Sequence, residues 1–191
     1  MTTSTTRSND HADPTWVDDV IRFWFEELTA RDWFVKSDQV DDQIRSRFLA
    51  LHQKLAGQPS APAGPRATLA TVIVLDQFSR NLFRNSAQAF AADAMALQIA
   101  RDAVARGLDQ ALPHNQRLFL YLPFEHSENS ADQELSLRLI SGLGDAELTR
   151  YAVAHKAIID RFGRFAHRNS VLGRPSTDEE LAFLKQPNSS F

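Results

Sequence analysis

Apolar residues recur at helical spacing almost from the start of the chain. Trp16, Val20, Phe23, Trp24 and Leu28 mark a first helix with Pro14 near its first turn and Asp13 or Thr15 as its cap. A connector from Thr29 to Lys36 carries Trp33 and Phe34, large enough to anchor it to a core. Val40, Ile44, Phe48, Leu51 and Leu55 mark the next helix, capped by Ser37 or Asp38 and stopped at Gly57. The run GQPSAPAGP, from Gly57 to Pro65, then breaks the pattern, because its prolines and glycines cannot sustain a helix. It reads as a hinge or an insertion rather than a domain boundary.

Arg66 to Phe83 contains TVIVL, whose β-branched residues alone would suggest a strand. The apolar character outlasts a strand, however, and Leu69, Val72, Ile73, Asp76 and Arg80 share one face at about 100° per residue. A helix is therefore expected. With Val74, Leu75, Phe78 and Leu82 on its other sides it is apolar nearly all round, which places it at the centre of the fold.

An alanine-rich helix is expected from Ser86 to Arg106, ending at Gly107. Pro113 starts another, which Pro123 kinks or ends, and Asn129 or Ser130 caps a further one that reaches Gly142. Asp145 opens the longest helix, expected to break around Asn169 to Gly173. Ser176 and Glu179 have the spacing of a capping box before a last short helix with Leu181, Phe183 and Leu184. The pattern predicts an all-α fold, a single domain of antiparallel helical hairpins with about seven to eight helices. It would span residues 14–191 after a flexible N-terminal segment, residues 1–13. The letters show no internal repeat.

Composition narrows the chemistry. The 191 residues suffice for one core, and a net charge of −3 gives no global reason to expect nucleic-acid binding, so any anion site must be local. The chain has no cysteine, which removes disulfides, thiolate metal sites and cysteine nucleophiles. Residues 1–13 lack the apolar core of a secretory signal, and no apolar run is long enough to cross a bilayer. A cytoplasmic protein without a membrane partner is expected; the oligomeric state and any cofactor stay open.

Histidines, arginines, aromatics and glycines gather most densely from His155 to Arg174. On a helical wheel Leu148, Tyr151, Ala152, His155, Ile159, Phe162 and Ala166 form one face. His155 is then either a core histidine bonded to one neighbour, or a base or ligand at a pocket floor. Arg150, Arg161, Arg164 and Arg168 fall on the opposite face, where Arg164 can pair with Asp160 as a solvated surface bridge. The alternative is an anion site, because planar guanidinium groups match carboxylate and phosphate. On the central helix Asp76 and Arg80, four residues apart on one face, read as a charged pair that interrupts a buried stripe, and desolvated charges need partners. A structural network tying three helices together is the commonest explanation of such a pair, and a pocket wall is the alternative.

Asp76, Glu125, His126, Glu128, His155 and His167 could supply metal ligands, but their spacing forms no metal signature. Ser79 and Ser127 lie near histidines without the strand–turn–helix frame of a nucleophile, and no phosphate-cradling glycine loop is present.

Laid end to end, the blocks VIRFWFEE, DWFVKSDQVDDQIRSRF, DQFSRNLFR, LPFEHSE and HKAIIDRFGRFAHRNSVLGRPSTDEELAFL resemble the bacterial family called domain of unknown function 924. The resemblance covers nearly the whole chain and implies an all-helical fold related to tetratricopeptide-type helix hairpins. It implies no activity. Its motifs fall on Asp76 to Asn81, Pro123 to Glu128, His155, Arg161 to Asn169 and Gly173 to Glu180. One departure is Ala166, where the family pattern favours proline before the histidine.

Three functions compete. The first is binding of a small anionic ligand in a pocket lined by Asp76, Arg80, His126, His155, Arg161, Arg164, His167, Arg168, Asn169 and Arg174. The second is a hydrolase-like enzyme using His, Asp and Glu with or without a metal. The third is a scaffold that holds a partner peptide in a helical groove. A pocket would have to form mainly where the long helix ends, around Arg164 to Arg174.

Overall fold

In the computed structural model, which describes residues 13–57, 64–187 and 189, the first apolar stripe winds into α1 (Thr15–Arg22) and continues through a π turn (Phe23–Glu27). Neither Asp13 nor Thr15 caps this helix; Pro14 holds the cap position without a side-chain bond. The π turn admits an extra residue, so that the Leu28 amide reaches the Phe23 carbonyl at 3.2 Å. Phe23 and Trp24 enter the core together.

The expected connector contains a helical turn, α2 (Ala30–Phe34). Asp32 closes it by accepting from both the backbone and the hydroxyl of Thr29. Trp33 anchors the turn, its indole donating to the Trp24 carbonyl at 2.7 Å, whereas Phe34 stays 60% exposed. Then α3 (Asp38–Gly57) follows, with Ser37 accepting from the Val40 amide. Most of the GQPSAPAGP run, residues 58–63, lies outside the described residues, as do residues 1–12 of the expected N-terminal segment.

The central helix, α4 (Gly64–Val72), passes through a π turn (Ile73–Gln77) into a last α-helical stretch (Phe78–Leu82). All its residues from Ala67 to Ser79 are buried, as an all-round apolar helix requires. The long helix expected from Ser86 is instead a 3-10 turn (Ala87–Phe90) and α5 (Asp93–Ala105). Ser86 turns its hydroxyl to the Gln88 amide and so caps the shorter turn first. Gly107, with φ +70°, ends α5.

Pro123 does not end α6 (His114–Glu125), because it sits in the last turn and forfeits only the bond to the Phe119 carbonyl. Asn129 caps α7 (Ser130–Ser141) and Asp145 caps α8 (Ala146–Phe162). The break of α8 comes at Gly163, ahead of the expected Asn169 to Gly173: the glycine adopts φ +67° and its amide closes on the Ile159 carbonyl at 2.8 Å. The chain then runs irregularly through a 3-10 turn (Ala166–Arg168) to α9 (Asp178–Phe183). The capping box of α9 is Thr177 with Glu180, one residue beyond the predicted pair; Ser176 instead accepts from Asn169 at 3.1 Å.

Among the described residues the fold is all-helical, with nine helices and no strands. Consecutive helices from α3 to α8 pack on one another, and α4 also touches α1 and α6. A smaller core of Ile158, Ile159 and Phe165, flanked by Phe162 and Phe183, fastens the segment after α8 and the last helix. That second core holds the histidine- and arginine-rich segment against the rest. No described helix is long and apolar enough to cross a membrane.

Candidate functional site

Asp76 occupies the π turn of α4 at 0% exposure. Its Oδ1 accepts from His126 Nδ1 at 2.8 Å and its Oδ2 from Gln77 Nε2 at 2.5 Å. Burial alone would raise the carboxyl's pKa; the facing His126, Arg80 and Gln77 outweigh it and hold the pKa below its ordinary value. Asp76 is therefore ionised and His126 Nδ1 is the donor. Nε2 of His126 has no partner among the described residues, and this side chain is 18% exposed.

Arg80 does not pair with Asp76 in the expected i, i+4 manner. Its guanidinium makes two parallel bonds to Asp93, at 2.9 and 2.8 Å, and also donates to the Ala89 carbonyl. A fork-on-carboxylate fit across helices outcompetes a single contact along one helix. Arg80 also lies over the Phe90 ring at 4.5 Å.

Arg168 also lies near that ring, 4.9 Å from the Phe90 centroid and 4.4 Å from that of Phe165. It is only 7% exposed. Nη1 donates to the His126 carbonyl at 2.9 Å, Asp93 approaches only to 3.8 Å, and Nε is buried without a partner. Burial, then repulsion from Arg80, lowers its pKa to about 10, which still leaves a cation at neutral pH. The adjacent His167 also has a buried, partnerless Nδ1; burial and then Arg168 and Arg80 push the ring down to about 4.

His155 is a core histidine in its contacts: Nδ1 faces the Tyr151 carbonyl at 2.9 Å and Glu125 Oε1 at 3.4 Å, and the ring meets Phe165 edge-on. Burial lowers its pKa to about 3. Glu125, 5% exposed, is pushed up to about 8, by burial first and then by Asp76, so it is mainly protonated at neutral pH. Glu128 binds the Arg174 fork at 2.6 and 2.9 Å and accepts the Phe165 amide at 2.8 Å. Arg174 also reaches Asn169 Oδ1 at 3.0 Å.

Asp76, Arg80, His126, His155, His167 and Arg168 thus come together, with Asn169 and Arg174 adjoining through Glu128 and Phe165. Arg161 and Arg164 do not join them. Both face α9, Arg161 binding Glu179 at 2.7 Å and Arg164 binding Glu180 at 2.6 and 2.8 Å. Arg164 leaves Asp160 to Lys156, because the helix has already ended at Gly163 and the i−4 relation no longer holds. The wheel missed Asp93, Phe90 and Phe165, none of which shares a helix face with the residues it serves.

Ser79 and Ser127 are committed elsewhere. Ser79 donates to the Leu75 carbonyl at 2.5 Å, so His52 Nε2, 2.8 Å away, must be the donor between them rather than a base. Ser127 donates to Asp132 at 2.7 Å. Among the described residues no group of three or more His, Asp and Glu is placed to hold a metal ion. A cleft of about 300 Å³ opens elsewhere, between Lys36, Asp42, Arg45 and Arg84.

The buried titrating groups set opposite pH limits. Glu125 has a folded value of about 8 against an ordinary 4.5, so its contribution is complete below 4.5 and is lost as pH rises through about 8. His155 and His167, at about 3 and about 4 against 6.5, contribute stability that is present above 6.5 and lost as pH falls through those values. Urea unfolding from about pH 5 to pH 9 should show a decline between about pH 5 and about pH 8 that Glu125→Gln removes. An unchanged decline over that range in the variant would mean that Glu125 is not its source.

The family model for a bacterial protein of unknown function, DUF924, matches residues 20–188. The solved structure of a protein of unknown function from Agrobacterium tumefaciens, ATU0120, is 36% identical and aligns with a TM-score of 0.85 over 90% of this chain and 97% of that one. No curated protein matches the chain.

Proposed function

This chain belongs to the DUF924 family of bacterial proteins of unknown function, a membership that carries no activity with it, and we propose that it binds a small anion at Arg168. The observation that carries this reading is the state of that guanidinium: buried against two aromatic rings, without a carboxylate at bonding distance, and with a partnerless Nε. Buried donors are almost always satisfied, and a planar guanidinium is suited to a carboxylate or phosphate. Low local polarity strengthens such a bond. Arg80 is near enough for its charge to act on Arg168, and Arg168, Arg80 and His126 all act on the adjacent His167.

The Asp76–His126 pair supports a second reading, in which a ring oriented by a buried carboxylate serves as a base in hydrolase-like chemistry on the bound molecule. The convergence of the polar side chains favours both readings over a peptide scaffold.

Calorimetric titration with acetate and with inorganic phosphate tests the proposal. The wild type should bind at least one of them, Arg168→Gln should lose that binding, and Arg161→Gln, altered outside the cluster, should keep it. Saturation at a hundredfold over Kd should stabilise the wild type by about 2.7 kcal/mol. Equal binding by wild type and Arg168→Gln would refute it.

A further inference from the structure

Resting on the reading that Arg168 holds an anion, we infer that the site takes a small monocarboxylate bearing a hydroxyl beside its carboxylate, rather than a phosphate or a dicarboxylate. The first support is the balance of charge. Asp93 is engaged by Arg80 at 2.8 Å, Glu128 by Arg174 at 2.6 Å, and Asp76 by His126 at 2.8 Å. Arg168 alone meets no carboxylate closer than the 3.8 Å of Asp93. Arg80 with Asp93 and Arg174 with Glu128 cancel, and with a neutral His126 ring the charges of Asp76 and Arg168 balance overall while Arg168 itself has no carboxylate at bonding distance. One ligand carboxylate gives that cation a partner. A second negative charge would face Asp76, Asp93 and Glu128 where water screens poorly.

The hydroxyl follows from the direction of the His126 bond. Nδ1–H is given to the Asp76 carboxylate, so a neutral ring offers a ligand only the lone pair of Nε2. That nitrogen accepts from a donor and gives a bare alkyl chain nothing. The Arg168 guanidinium is bonded at 2.9 Å to the carbonyl of this same residue, which puts cation and acceptor within the span of one small molecule. Phe90 and Phe165 lie 4.9 and 4.4 Å from the guanidinium carbon, and the partnerless Nε–H is the donor left for a carboxylate oxygen.

The test is a calorimetric series on the full chain with propionate, lactate, succinate and inorganic phosphate at constant ionic strength, repeated on Arg168→Gln. Lactate should bind about fivefold more tightly than propionate, the worth of one hydrogen bond, with succinate and phosphate weaker than both by at least about tenfold. All binding should vanish with Arg168→Gln, and His126→Phe should bring lactate down to the level of propionate. The wild-type series alone decides the ligand class, whatever the fate of the variants. If succinate or phosphate binds most tightly and still depends on Arg168, the ligand class is wrong while the anion site stands. Equal binding of lactate and propionate by the wild type overturns the hydroxyl. If no anion shows Arg168-dependent binding, both the class and the anion site fall.

Discussion

Asp76→Ala is expected to lower the unfolding free energy by about 3 to 5 kcal/mol, the usual cost of deleting one member of a buried, hydrogen-bonded charge pair. The carboxylate is fully buried and accepts from two side chains, His126 and Gln77. Removing it strands the Gln77 amide and leaves His126 Nδ1 without an acceptor in a site already crowded with Arg80 and Arg168. Asp76→Asn retains an acceptor and should fall between the two. Urea unfolding of the three proteins checks this, and a loss under about 1 kcal/mol for the alanine variant would show that water replaces the carboxylate freely.

Phe78→Ala should be equally severe for a different reason. The ring is fully buried and lies 5.0 Å from Phe48, 5.5 Å from Trp24 and 6.0 Å from Phe23, joining the π turn after α1 to α3 and the central helix. Truncating it loses transfer free energy and leaves a cavity among rings that cannot collapse fully, together about 3 to 5 kcal/mol. The urea midpoint should fall with an unchanged slope. Phe34→Ala, at a ring 60% exposed, should change stability by only about 0.5 kcal/mol, so similar losses at both positions would contradict the packing described.

The helices were legible because burial imposes a period that letters display. Leu69 to Leu82 is the clearest case: apolar residues on all sides left one place for it, the centre. The π turns were not legible, since an extra residue within a turn leaves the apolar run intact. Helix ends depended on competing caps. Thr177 and Ser176 could each open α9, and Gly163 stopped α8 although apolar residues continue to Phe165 and Ala166.

The candidate site was legible in its membership more than in its wiring. Helical periodicity pointed to Asp76, His155 and Arg168 and the family resemblance to these and His126, but a wheel can pair residues only along one helix. It joined Asp76 to Arg80 and Asp160 to Arg164, whereas the chain joins Asp76 to His126, Arg80 to Asp93 and Arg164 to Glu180. These partners come from different helices or from the irregular segment after Gly163, where spacing carries no angular information. Arg164 was drawn into the site because the wheel was extended past the true end of α8, whereas Arg161, inside α8, turns to Glu179 of the last helix.

The central claim concerns one nitrogen, Nε of Arg168, and nitrogen-15 NMR of the arginine side chains reads it directly. Addition of sodium lactate at constant ionic strength should move the Arg168 Nε–H resonance downfield and slow its exchange with water, while Arg161, outside the cluster, stays in place. A resonance for Arg168 that does not move at saturating lactate, propionate or phosphate would contradict the claim that this guanidinium is the anchor of an anion site.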